Sequence, residues 1–210
     1  MSVTDIKSAI AEISDVMTRN RERLIALDGQ IGDGDLGLTM AKGFAVASEE
    51  VARATEEDAG KLLVKVGMTI AKSAPSTMGT LIASGFMAGG KAVSGGASLD
   101  IAGLAAFLKA FVEGIMQRGK AKPGEKTVID VLYPASDALA AAAGEGLALR
   151  EGLERCYSAG KEGLARTRGM IAQHGRPAYY GEQSRGKEDP GATAGLLILE
   201  GLRDWVAGHS

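Results

Sequence analysis

The chain has 210 residues, 45% of them hydrophobic and 24% charged, which is enough apolar material for a core and too much for a disordered tail. With 24 Lys and Arg against 26 Asp and Glu, the formal net charge is −2, so a general binder of nucleic acid or anionic membrane is excluded. Aromatics at 4% argue against a base-stacking platform. A single cysteine, Cys156, excludes an intrachain disulfide and any Cys-rich zinc site, and reads as a small helix residue rather than a nucleophile.

The first residues, MSVTDIKSAIAEISDV, lack the basic stretch and apolar core of a signal peptide. No window reaches the ~18 apolar residues of a membrane span, so the cytoplasm is the expected compartment.

Alanine (34 residues) and glycine (30) dominate, and the long β-branched alternations of strands are absent. The expectation is an all-α chain, read as one domain over 1–210, with eight helices in an antiparallel up-and-down bundle. The first runs over Asp5–Leu27, with Ile6, Ile10, Ile13 and Met17 at helical spacing. The second covers Leu38–Arg53. The third, Glu56–Lys72, has acids at its start and a lysine at its end, as the helix dipole prefers. The fourth, Thr77–Val93, is rich in small residues. The fifth, Leu99–Arg118, carries Leu104, Leu108, Phe111 and Ile115 on one face. The sixth, seventh and eighth cover Val128–Ala143, Leu149–Arg168 and Ala192–Val206.

Four connections look unlike simple turns: Asp28–Gly37, Ser73–Gly79, Gly119–Lys126 and Gly175–Gly191. They follow helices one, three, five and seven, so in an up-and-down bundle they converge on one rim. The last is long and irregular, as functional loops often are.

The sharpest segment is Asp28-Gly-Gln-Ile-Gly-Asp33-Gly-Asp35-Leu-Gly37. Three carboxylates so close repel unless a cation sits between them, and oxygen-only ligands suit Mg²⁺ when phosphates complete its shell. Interspersed glycines let the backbone turn tightly enough to aim all three at one point. The plain alternative is a solvated acidic turn. Gly32–Gly37 also fits G-x-G-x-x-G, but no strand precedes it, and Asp33 and Asp35 would repel a pyrophosphate lying directly on the loop. An EF-hand is excluded because the twelfth position from Asp33 is Phe44, where a bidentate Glu is required.

Ser76 or Thr77, in Lys72-Ser-Ala-Pro-Ser-Thr-Met-Gly79, either caps the following helix or marks an N-terminus that offers N–H groups to a phosphate. The segment Arg118–Lys126 carries a local charge of +3: a solvated loop, or a wall for a polyanion. Arg176 is a candidate for phosphate or ribose contacts. Asp189-Pro190-Gly191 before an apolar run is a helix start with Asp189 as its cap. His174 has no partner visible in the sequence, and His209 is expected to be disordered at the tail.

Together these loops resemble the L subunit of dihydroxyacetone kinases. The matching pieces are Leu27–Asp35, Arg118–Thr127 and Gly175–Thr193, spread over nearly the whole chain. The resemblance implies a barrel of eight antiparallel helices holding ADP or ATP at one end. It implies two Mg²⁺ ions on Asp28, Asp33 and Asp35, which with Arg176 form the catalytic set. Nucleotide contacts map onto Leu36, Gly37, Leu38 and Thr39, onto Gly119 and Val128, onto Arg176, and onto Asp189, Pro190 and Gly191. Ser76 and Thr77 join them from the second rim loop. The sugar is expected on a separate K subunit. ADP is rephosphorylated by an M subunit in the branch fed by the phosphotransferase system, and ATP exchanges in the other. A homodimer is also expected. Two stretches depart from the family pattern: Leu36 stands where a histidine is usual, and Lys72-Ser-Ala-Pro-Ser-Thr replaces a longer glycine-rich loop. The substrate implied is dihydroxyacetone or a related keto sugar such as a tetrulose. No residue looks like a base for a sugar hydroxyl, so the chain alone is expected to be inactive. The alternative is a nucleotide-sensing subunit that docks a regulator.

Overall fold

The computed structural model describes residues 1–209. Helices fill it: α1 Val3–Arg19, α2 Arg21–Ile31, α3 Leu36–Ala52, α4 Ala59–Ser73, α5 Thr77–Ala92, α6 Ile101–Gly119, α7 Ile129–Gly144, α8 Leu149–Thr167 and α9 Pro190–His209. A 3₁₀ segment, Arg176–Ser184, lies in the α8–α9 connection, interrupted at Gly181. Among the described residues the only β pairing is an isolated bridge between Ser2 and Ser98. None of these helices is long and apolar enough to cross a membrane.

The expected all-α class holds, with two corrections to the elements. The helix expected over Asp5–Leu27 is two helices parted at Asn20. The Asn20 side-chain amide donates to the Val16 carbonyl, competing with the backbone ladder as Asn does. His209 is not disordered: it ends α9, stacks on Trp205 and donates from Nδ1 to the Trp205 carbonyl.

Local signals set most boundaries. Ser2 and Asp5 form a reciprocal capping box on α1, and Asp58 and Asp100 accept from backbone N–H groups three residues on. Each long helix packs on its chain neighbours, and α1 packs on both α3 and α9, so the neighbour pairs run round in a ring. Short connections make the successive helices from α3 to α8 antiparallel. The apolar faces meet in one cluster inside the ring, where Phe86 touches Phe44, Phe107 and Phe111 with centroids 5.1–6.0 Å apart. The α4–α5 crossing is close: a Cβ on Gly90 would lie 2.7 Å from the Val64 nitrogen, so only glycine permits this approach.

The ring has two unlike ends. One holds Ser2, the α5–α6 connection at Ser98, and Ala54, whose carbonyl accepts from Lys7. The other gathers the α2–α3, α4–α5, α6–α7 and α8–α9 connections around a cavity.

Candidate functional site

The acidic turn is built by close packing. Asp28 sits in the last turn of α2 and is buried, Asp33 lies in the turn, and Asp35 directly precedes α3. Gly32 sits against the Asp28 carboxylate, and a Cβ there would collide with its Oδ1 and Cγ. One Asp28 oxygen accepts from the Leu36 N–H at 3.3 Å, which fixes that carboxylate against the first turn of α3. The three aspartates bring one carboxylate oxygen each within 4.8 Å of one another. Burial raises the pKa of Asp35, Asp33 and Asp28 push it further the same way, and Arg176 opposes them. The Arg176 guanidinium lies 2.8 Å from an Asp33 oxygen. An oxygen-only donor set, crowded, half open to a cavity and answered by one exposed arginine, fits a hard divalent cation such as Mg²⁺.

The cavity over these acids measures about 960 Å³. All four rim connections contribute to its wall, as their alternation along the chain implies. Leu36, Ser76, Thr77, Gly119, Val128, Arg176, Asp189, Pro190 and Gly191 line it, together with the three aspartates. Gly37, Leu38 and Thr39 do not. Gly37 packs against Ile25 on α2 and Leu38 is 54% exposed, because the helical turn that points Leu36 inward points its neighbours elsewhere. Ser76 caps α5 by accepting from the Gly79 N–H at 3.0 Å, and Asp189 caps α9 by accepting from Ala192 at 2.7 Å. Two helix N-termini therefore open at the cavity wall. Burial pushes the Asp189 carboxyl up to about 7, against the Ala192 and Gly191 N–H groups and Lys126, while Asp130 adds to the rise.

The basic segment 118–126 is not a wall of charge. Arg118 lines the cavity, but Lys120 and Lys122 lie outside its lining. Lys126 is 1% exposed and spends its ammonium on backbone carbonyls. The turn is shaped by Asp130, whose oxygens accept from the Gly124 and Thr127 N–H groups at 2.5 and 2.7 Å. That role escapes the reading of charges alone, although Thr127-Val-Ile-Asp130 has capping-box spacing. His174, without a visible partner in the sequence, lines the cavity and has one: Glu125 Oε2 lies 2.6 Å from its Nε2. The bond to His174 is the main cause holding the Glu125 carboxyl below its ordinary value, followed by the Lys122 N–H. Forty-nine positions separate the pair, and no local pattern announces it.

Residues 30–204 match the DAK2 domain family. The chain belongs to the DAK2 family. The match begins two residues after Asp28 and takes in Asp33, Asp35 and the other three rim connections. The DAK2 chain is 32% identical over 202 residues to the ADP-binding subunit DhaL of the PEP-dependent dihydroxyacetone kinase of Escherichia coli K12, covering 96% of each chain. It is 33% identical over 183 residues to the ADP-binding subunit DhaL of PEP-dependent dihydroxyacetone kinase 1 of Listeria innocua, covering 87% of this chain and 86% of that one. Its fold matches that of the dihydroxyacetone kinase from C. freundii solved with AMP-PNP and Mg²⁺, with a TM-score of 0.73 at 22% identity. That alignment covers 94% of the DAK2 chain and 33% of the larger protein, so the DAK2 chain spans about a third of it.

Proposed function

We propose that the chain is the nucleotide-holding subunit of a keto-sugar kinase, with Mg²⁺ on Asp28, Asp33 and Asp35 and the phosphates of ADP or ATP in the cavity above them. The observation that carries this reading is the convergence of three carboxylates within 4.8 Å on the floor of a cavity walled by two helix N-termini and an arginine. Polyanions suit helix N-termini, and a divalent cation reconciles the phosphates with the acids. The names of the E. coli and Listeria relatives, both ADP-binding subunits, support it.

Mg²⁺, two ions in this reading, supplies charge neutralisation to the phosphate oxygens when bound. The chain's own residues bind and orient. The Leu36 N–H holds the Asp28 carboxylate in place. The first turns of α5 and α9 present N–H groups without partners inside the helix. Arg176, now on Asp33, has a planar fork able to grip a phosphate edge. The sugar sits on a separate K subunit, which brings whatever accepts the hydroxyl proton. It is dihydroxyacetone or a related keto sugar. Retained ADP recharged through an M subunit, a homodimeric assembly and a cytoplasmic location complete the reading.

Calorimetry with ADP, in Mg²⁺ and in EDTA, tests it. Magnesium-dependent binding is expected, and D28N/D33N/D35N removes it. Affinity that survives the triple substitution overturns the site. Turnover of dihydroxyacetone with ATP by the chain alone overturns the two-part arrangement.

A further inference from the structure

The chain between Thr167 and Asp189 carries Arg176, yet packing holds it poorly: from 168 to 188 only Ala172 and Ser184 are buried. What holds it comes from the α6–α7 connection. Lys126 has a left-handed backbone, φ 58°, which is costly for a residue with a Cβ and persists only where surroundings enforce it. Its side chain enters the interior beneath the loop. Nζ donates to the carbonyls of Thr167, Ser184 and Lys187 at 2.8, 2.8 and 2.7 Å, with Met170 at 3.4 Å. These acceptors come from both ends of the loop. Thr167 also closes α8, so the ammonium meets the negative end of that helix. Among the described residues no carboxylate forms an ion pair with it. An ammonium has three N–H groups, a neutral amine two, so the charged form matches the cage.

We infer that Lys126 is a positioning residue whose ammonium acts as a tethered monovalent cation, gathering the carbonyls of Thr167, Met170, Ser184 and Lys187 and so fixing the loop that presents Arg176 to the acidic turn. Removing the side chain leaves a cluster of carbonyl oxygens that can take the place of a cation's hydration shell. A free ammonium or potassium ion of the right size refills it.

The test compares K126A and K126M with the parent. The first readout is trypsin cleavage after Arg185 and Lys187, followed by intact mass, and needs no nucleotide. Cleavage is expected to speed up by about tenfold in both variants, as local opening becomes more populated. Ammonium chloride restores slow cleavage in K126A, where the hole is open. It does not in K126M, where methyl and sulfur fill it, and tetramethylammonium at equal ionic strength restores neither. The second readout, affinity for Mg–ADP, rests on the function proposed above. If the loop is ordered about a tenth of the time, the apparent Kd rises about tenfold. A parent that fails to bind Mg–ADP defeats that function and leaves the cleavage result standing. Variants that resist trypsin like the parent, or a K126A that ammonium does not rescue, overturn the inference. Should K126A not fold, the parent decides: nitrogen-15 spectra at neutral pH must show one slowly exchanging lysine ammonium, and none visible overturns it.

Discussion

The rim and the aromatic interior of the ring are built on opposite terms. Around Phe86 everything is apolar and buried, and glycines on α5 make room for rings from α6. At the rim, three carboxylates crowd one turn, a lysine is caged by carbonyls, and an aspartate is buried to 4% exposure. The interior stabilises the fold through transfer of apolar surface and close packing. The rim keeps like charges together, which lowers stability unless a ligand answers them. A single change in the interior therefore shows in melting, and one at the rim shows in binding.

The comparison breaks first at Asp28. D28A is expected to weaken Mg–ADP binding by more than about a hundredfold, as loss of a charged ligand to the ion does, while the melting temperature without nucleotide holds or rises. Calorimetry and thermal denaturation read the two sides. Phe111→Ala should do the reverse: a loss of about 3–5 kcal/mol in stability by denaturant titration, with Mg–ADP affinity at low temperature unchanged. Arg176→Ala is next, at about tenfold in affinity, because its partner Asp33 stays hydrated and only one charge-assisted contact is lost.

Asp189 gives a pH test of the rim. Its folded pKa of about 7 lies above the unfolded value, so between roughly pH 4 and 7 the folded state binds the extra proton. Its contribution to stability therefore falls as pH rises through that window and levels off above it. D189N keeps the cap through its side-chain oxygen and should flatten that part of the stability–pH curve. A parent curve that already lacks the slope contradicts the assignment. The smallest effect is expected at His174. If the Glu125 pair only ties two loops, H174Q leaves turnover with a sugar-binding partner within about threefold; a hundredfold fall would make His174 a proton-transfer group.

Much of the fold is legible in the sequence because its cues are local. Leu104, Leu108, Phe111 and Ile115 fall on one buried face of α6, and Asp58, Asp100 and Asp189 mark starts that spacing alone places within a few residues. The alternation of rim loops follows from short connections between antiparallel helices. The break at Asn20 does not, since apolar spacing continues to Leu24 and only the side-chain bond to Val16 interrupts the helix. At the site, the acids are legible because they lie within eight residues of each other. The Lys126 cage is not: its acceptors are main-chain carbonyls more than 40 positions away, and carbonyls carry no sequence signature.

Cys156 has a practical consequence. The chain's single thiol is fully buried on α8, and burial pushes its pKa up to about 12, so almost no thiolate exists at neutral pH to meet an alkylating dye. A Y179C substitution, at a position 92% exposed on the Arg176 loop, therefore takes a fluorophore alone, with no background from the parent chain. The protein comes ready for single-molecule observation of how that loop moves when a nucleotide arrives.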